Sequence, residues 1–159
     1  MDMRKAKRKA YMEEGTRVND SSFDIVNVLQ GASAGVYDVE DSEALLAEAK
    51  AQGIPVSRHK LLYVCKSQDE IAGGVFAFAD ETVFEVYPVV MPEFRGTGLA
   101  EILCCTVINE YYDLYDVDKV KLQLIISSPL LISTLERKGL VEYKRFGKWI
   151  VMRANEKDV

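Results

Sequence analysis

Soft metal ligands are scarce in this sequence. Its 159 residues include one histidine, His59, and three cysteines, Cys65, Cys104 and Cys105. No zinc-ligand spacing appears among them, and a lone histidine leaves too few ligands for a metal site. The thiols are expected to be buried and free in a reducing cytoplasm, with a reactive nucleophile as the lesser alternative. No apolar run approaches the length of a membrane span, and no secretory leader opens the chain. Both point to a cytoplasmic protein with no membrane partner. The excess of acidic residues gives a net charge of −5, which argues against a nucleic-acid binder and weakly favours cationic substrates.

The charge is uneven. Arg4, Lys5, Lys7, Arg8 and Lys9 crowd the start. They lack interleaved aromatics apart from Tyr11. Residues 1–15 therefore read as a solvated basic extension rather than a nucleic-acid arm. Residues 16–155 form one domain, long enough for a substantial core, and 156–159 a polar tail.

Periodicity orders the rest. Residues 21–31 read as a first helix, capped by Ser21 or Ser22, with Phe23 and Val26, joined by Ile25 and Leu29, on its apolar face and Gly31 as its stop. Residues 41–52 read as a second, with Leu45, Leu46 and Ala49 at helical spacing before Gly53 and Pro55. Strands are expected over 61–66, 71–79 and 82–90. The Gly73-Gly74 pair marks a bulge or a close backbone approach. A long helix follows from Leu99 to Tyr112 or Tyr115, with Ala100, Leu103, Cys104, Val107, Tyr111 and Leu114 on one face. Its tyrosines are read as packing rather than base stacking. A strand over 119–126 completes a parallel crossover. Ser128-Pro129 opens a short helix closed by Gly139, and a hairpin over 141–154 turns at Gly147-Lys148.

The chemistry concentrates where an extended run enters a glycine turn and a helix, in Val89-Val90-Met91-Pro92-Glu93-Phe94-Arg95-Gly96-Thr97-Gly98-Leu99-Ala100. Two glycines bring backbone amides close to a ligand, and the helix start favours an anion such as pyrophosphate. Leu99-Ala100 replaces the Lys-Ser of a Walker loop, and the third glycine of a dinucleotide fingerprint is missing. An ordinary strand-to-helix turn is the plain alternative. Pro88 cannot donate to a central ladder, so it marks a strand end, an edge or a bulge.

Arg95-x-x-Gly98-x-Ala100 after Val90-x-Pro92-Glu93-Phe94 resembles motif A of the GCN5-related N-acetyltransferases (GNATs). The resemblance implies an α/β fold of the acyl-CoA N-acyltransferase type, a mixed, mostly antiparallel twisted sheet with about four helices. It implies acetyl transfer from acetyl-CoA to an amine of a small molecule or a protein. It places the cofactor on Val89, Val90, Met91, Arg95, Gly96, Thr97, Gly98, Leu99, Ala100 and Ser128, and the pantetheine arm in a split beside a bulged strand. The first two helices would wall the acceptor groove. A backbone amide near Val90 would hold the oxyanion. Glu85, the only carboxylate inside the delivering strand, is the candidate base, with Asp80 and Glu81 as further options. His59 is expected to be solvated. The later family segment, Asn then Tyr then Gly-Phe, is represented here by Ser128, Leu135 and Gly139-Leu140. That substitution removes the usual acid for the thiolate. It leaves open a catalytically degenerate module of phage type that binds CoA or a partner. A homodimer is also left open.

Overall fold

In a computed structural model, residues 23–27 and 39–154 are described. The basic extension, the Ser21, Ser22 and Gly31 caps and the tail lie outside them. Among the described residues, seven strands form one sheet: β1 Phe23–Asn27, β2 Lys60–Ser67, β3 Glu70–Ala79, β4 Val83–Val90, β5 Lys121–Ile126, β6 Leu140–Phe146 and β7 Trp149–Ala154. Their order is β1-β2-β3-β4-β5-β7-β6. Only the central β4–β5 pair is parallel. Three α-helices lie among the described residues: α1 Val39–Gln52, α2 Leu99–Leu114 and α3 Ile132–Arg137.

The first expected helix is corrected: Phe23–Asn27 is an edge strand antiparallel to β2. Phe23 is buried, Asp24 exposed and Ile25 half-buried. Five residues carry both a strand's alternation and a helix's i, i+3 spacing, and pairing with β2 decides between them.

The sheet has a core on each face. Phe84, Val86, Leu122 and Leu124 pack with α2 and Leu135, while Tyr87, Val89, Phe76 and Ile125 pack with Leu45 and Ala49 of α1. Two-residue periodicity explains the sorting, since even and odd residues of β4 face opposite ways. α2 is buried over most of its girth, including Ile102, Cys105 and Ile108. Leu114 is solvent-exposed, contrary to the single apolar face expected, while its neighbour Tyr115 takes the place against the sheet. The tyrosines do pack: Tyr111 donates to the Val120 carbonyl at 2.5 Å, and Tyr115 stacks on Phe84. The three cysteines are buried and form no disulfide. Burial raises the Cys65 thiol to about 12, and burial likewise raises Cys104, so neither supplies a thiolate nucleophile.

The Gly73-Gly74 pair has both features its sequence suggested. β2 and β3 shift register between Cys65 and Lys66, beside Gly73. A Cβ on Gly73 would collide with the Val89 carbonyl, and one on Gly74 with the Tyr63 carbonyl and the Leu45 side chain.

Candidate functional site

β4 organises the site. Its register with β3 runs unbroken from Ala79 opposite Phe84 to Gly73 opposite Val90. The expected bulge at Pro88 is therefore absent. The Met91 amide donates to Ala72 at 2.8 Å, so odd-numbered backbone groups of β4 face β3 and even-numbered ones face β5. On the β5 side, Thr82 accepts from the Lys121 amide at 2.9 Å. The parallel register then holds from Val83 opposite Lys121 to Val86 opposite Leu124, and stops. The next β4 donor toward β5 would be residue 88. Proline has no N–H there. The ladder ends for want of a donor rather than through an inserted residue. Beyond it the backbone of Val90 faces an open split.

A groove of about 560 Å³ runs from this split to the start of α2. Pro88, Val90 and Ile126 line its inner end, and Ser127, Ser128 and Lys148 the β5–β7 side. Arg95, Gly96, Gly98, Leu99, Ala100 and Glu101 form the other end. Gly96 and Gly98 have φ of 79° and 85°, the left-handed region that glycine tolerates. A Cβ on Gly96 would meet nothing, so the turn is open to solvent rather than sealed by neighbours. Gly98 is the N-cap of α2 and offers no side-chain acceptor. Thr97 turns its hydroxyl onto the Phe94 carbonyl at 2.6 Å. The first amides of α2 are thus left for an external anion, aided by the helix dipole.

A carboxylate ties the two ends together. Glu48 of α1 accepts from Arg95 at 3.2 Å and from Gln52 at 2.8 Å. Gln52 in turn reaches the Val90 carbonyl at 3.5 Å, a long bond.

Of the residues expected to contact a cofactor, Val90, Arg95, Gly96, Gly98, Leu99, Ala100 and Ser128 line the groove. Val89, Met91 and Thr97 do not. Val89 is fully buried on the α1 face. Ser128 makes no side-chain cap; a 3-10 turn over Pro129–Leu131 precedes α3.

Glu85 also lies off the groove lining, on the α1 face of the sheet. Its carboxylate meets His59 Nε2 at 2.6 Å, while His59 Nδ1 faces the Pro55 carbonyl at 3.3 Å. His59 is 1% exposed, which corrects the solvated loop residue expected. The edge of Tyr87 packs on the imidazole and Trp149 packs on Tyr87, with centroids 4.9 and 5.2 Å apart. The His59 hydrogen bond holds the Glu85 carboxyl below its usual range despite partial burial. Burial, followed by the Glu85 charge, raises Tyr87. Asp80 accepts from the Thr82 and Val83 amides at 2.7 and 2.9 Å, which fixes the turn into β4. Asp80 and Glu81 are exposed at the end of β4 remote from the glycine turn.

The Glu85 contact gives a pH prediction. A carboxyl with a depressed folded-state pKa stabilises the fold above its unfolded pKa of about 4.3, and that contribution is lost as pH falls through the folded value. Glu85→Gln is expected to flatten the decline in urea midpoint between roughly pH 6 and pH 3. An acid limb unchanged from the parent would disprove the coupling.

Three solved structures show what this arrangement resembles. Escherichia coli ElaA superposes with TM-score 0.57 at 15% identity, covering 84% of this chain and 98% of its own. A GNAT family acetyltransferase from Elizabethkingia anophelis, with acetyl-CoA bound, gives 0.55 at 16% identity over 84% and 98%. The fold is that of the GCN5-related N-acetyltransferases. The ribosomal-protein-S18-alanine N-acetyltransferase of E. coli gives 0.55 at 14% identity, covering 83% of this chain and 92% of its own. No protein-family profile and no curated protein matches the sequence. The GNAT likeness is one of fold, and the motif around Arg95-Gly96-Thr97-Gly98 sits where the fold parts its sheet. Among the described residues, no helix is long and apolar enough to cross a membrane.

Sequence reasoning missed Gln52, Glu101, Thr134 and Lys148 as groove residues. Gln52 and Lys148 arrive through tertiary packing and carry no local signal. Glu101 follows the motif directly and was open to inference from its place in the first turn of α2.

Proposed function

We propose that this protein transfers the acetyl group of acetyl-CoA to an amine. The observation that carries the reading is the split between β4 and β5, continuous with an uncapped helix start. The donor set fits the ligand: turn amides for a diphosphate, and backbone groups of Val90 for the amides of a pantetheine arm. Bound acetyl-CoA supplies an activated acyl carbon. The Val90 amide is directed to where negative charge develops on the acyl oxygen. Arg95, Gly96, Gly98, Leu99 and Ala100 hold the phosphate end. Glu85 takes the amine's proton through water from the α1 side, because its carboxylate does not line the groove.

The test is thiol release from acetyl-CoA across a panel of small amines and peptides. Saturable release with one class of amine supports the reading. Absence of acetyl-CoA binding defeats it. A second reading, a CoA-binding module without turnover, is favoured by Leu135. This residue stands at the family's acid position, is fully buried and brings no hydroxyl. Saturable binding with no release on any amine would select it.

Pro88 offers a further check. Pro88→Ala supplies the missing donor and is expected to extend the β4–β5 ladder by one bond, worth about 1 kcal/mol. The new amide should resist hydrogen exchange. Acetyl-CoA affinity should fall roughly fivefold, as the split then opens against that bond. An unprotected amide at residue 88 with unchanged affinity would refute this account of the split.

A further inference from the structure

We propose that Lys148 is a self-acetylation site, so that the chain serves as its own amine acceptor. The inference rests on the acetyl-transfer reading above and adds an acceptor to it.

Among the described residues, Lys148 is the only lysine lining the groove. It sits at the tip of the β6–β7 turn, after Gly147 with φ of 58°. β5 and β7 pair as far as Ile126 opposite Ile150. The turn that carries Lys148 therefore lies just past the end of β5, where Ser127 and Ser128 line the same groove as Val90.

Lys148 is exposed, and its ammonium rests against an aromatic face. Its Nζ lies 4.7 Å from the centre of the Trp149 ring, and Trp149 is braced edge-on against Tyr87. An indole face retains an alkyl ammonium without neutralising it or donating to it. Among the described residues no carboxylate lies within ion-pair distance of Lys148. Lys144, on the same hairpin, is the natural comparison. It lies on the outer strand, 5.7 Å from the Tyr143 ring, and its charge reaches Glu85, but it does not line the groove.

The step balances without an added reagent. The Lys148 ammonium releases one proton to water, and its nitrogen attacks the thioester carbonyl carbon. The C–N bond forms and the C–S bond breaks. The departing sulfur takes the second proton as free CoA thiol, leaving an N-acetyl-lysine. Conversion removes the cation from Trp149 and places a neutral amide at the groove mouth.

The test incubates the full chain with acetyl-CoA and follows site occupancy by peptide mass spectrometry, with acetyl-CoA binding measured in parallel by calorimetry. Acetylation of Lys148 is expected to exceed that of Lys144 roughly tenfold or more, through its high effective concentration. Its first-order rate should not change when the protein is diluted. Gly98→Val should reduce Lys148 to the level of Lys144, and Lys148→Arg should bind acetyl-CoA while losing the adduct. Binding of acetyl-CoA with equal labelling of both lysines, or with none at Lys148, overturns the self-acetylation proposal alone. No binding by the parent chain overturns the acetyl-transfer reading with it.

Discussion

Gly98→Val is expected to weaken acetyl-CoA binding by at least ~100-fold, about 2.7 kcal/mol, while the chain stays folded. Two effects act together. The residue holds φ of 85°, where a β-branched side chain is strained by roughly 1–2 kcal/mol. The added methyl groups also stand at the helix start, where the amides of α2 must approach an anion. The backbone strain is borne by the folded chain with or without ligand, whereas the exposure of Gly98 spares the core, so the affinity loss comes from the obstructed amides. Calorimetric titration with acetyl-CoA, beside circular dichroism of both chains, checks it. Unchanged affinity in a folded variant would remove the glycine turn from the site.

Gly73→Ala is expected to destabilise the fold by about 3 kcal/mol, the upper range for forcing extra volume into packed structure. The new Cβ would overlap the Val89 carbonyl and press within 3.2 Å of Leu99 Cδ2. A carbonyl in a sheet ladder cannot rotate away as a side chain end can. The strain passes to Val90, the residue opposite Gly73, whose backbone borders the groove. Urea unfolding measures the stability, and calorimetry of the folded fraction should show weaker acetyl-CoA binding as well. A midpoint shift corresponding to less than about 1 kcal/mol would mean that β3 and β4 separate easily there.

Much of this was legible in the sequence. β2 to β5, α1, α2 and the final hairpin follow from apolar period and from punctuation by Gly, Pro and Asp. The glycine turn was legible because its geometry depends on local chemistry: missing Cβ atoms and a helix without a capping side chain. β1 was not, since a short edge strand is chosen by its partner. The split was anticipated through Pro88, but the sequence left a strand end and a bulge both open, and the ladder's end is what the pairing selects. Whether a proline ends a ladder or bulges a strand depends on the parity of its neighbours, and parity is set by pairing. His59 and Glu85 are 26 residues apart, and nothing between them announces their contact. Lys148 faces the groove only because β7 returns beside β5.

Glu48 has a consequence of its own. One carboxylate steadies a guanidinium at the glycine-turn end of the groove and a carboxamide at the Val90 end, so those two residues are not independent variables. Substituting Arg95 leaves Gln52 with a different partner charge, and the reverse holds too. A double replacement should depart from the sum of its singles, as contacts sharing a hub do. Distance along the groove is no guide here to energetic separateness.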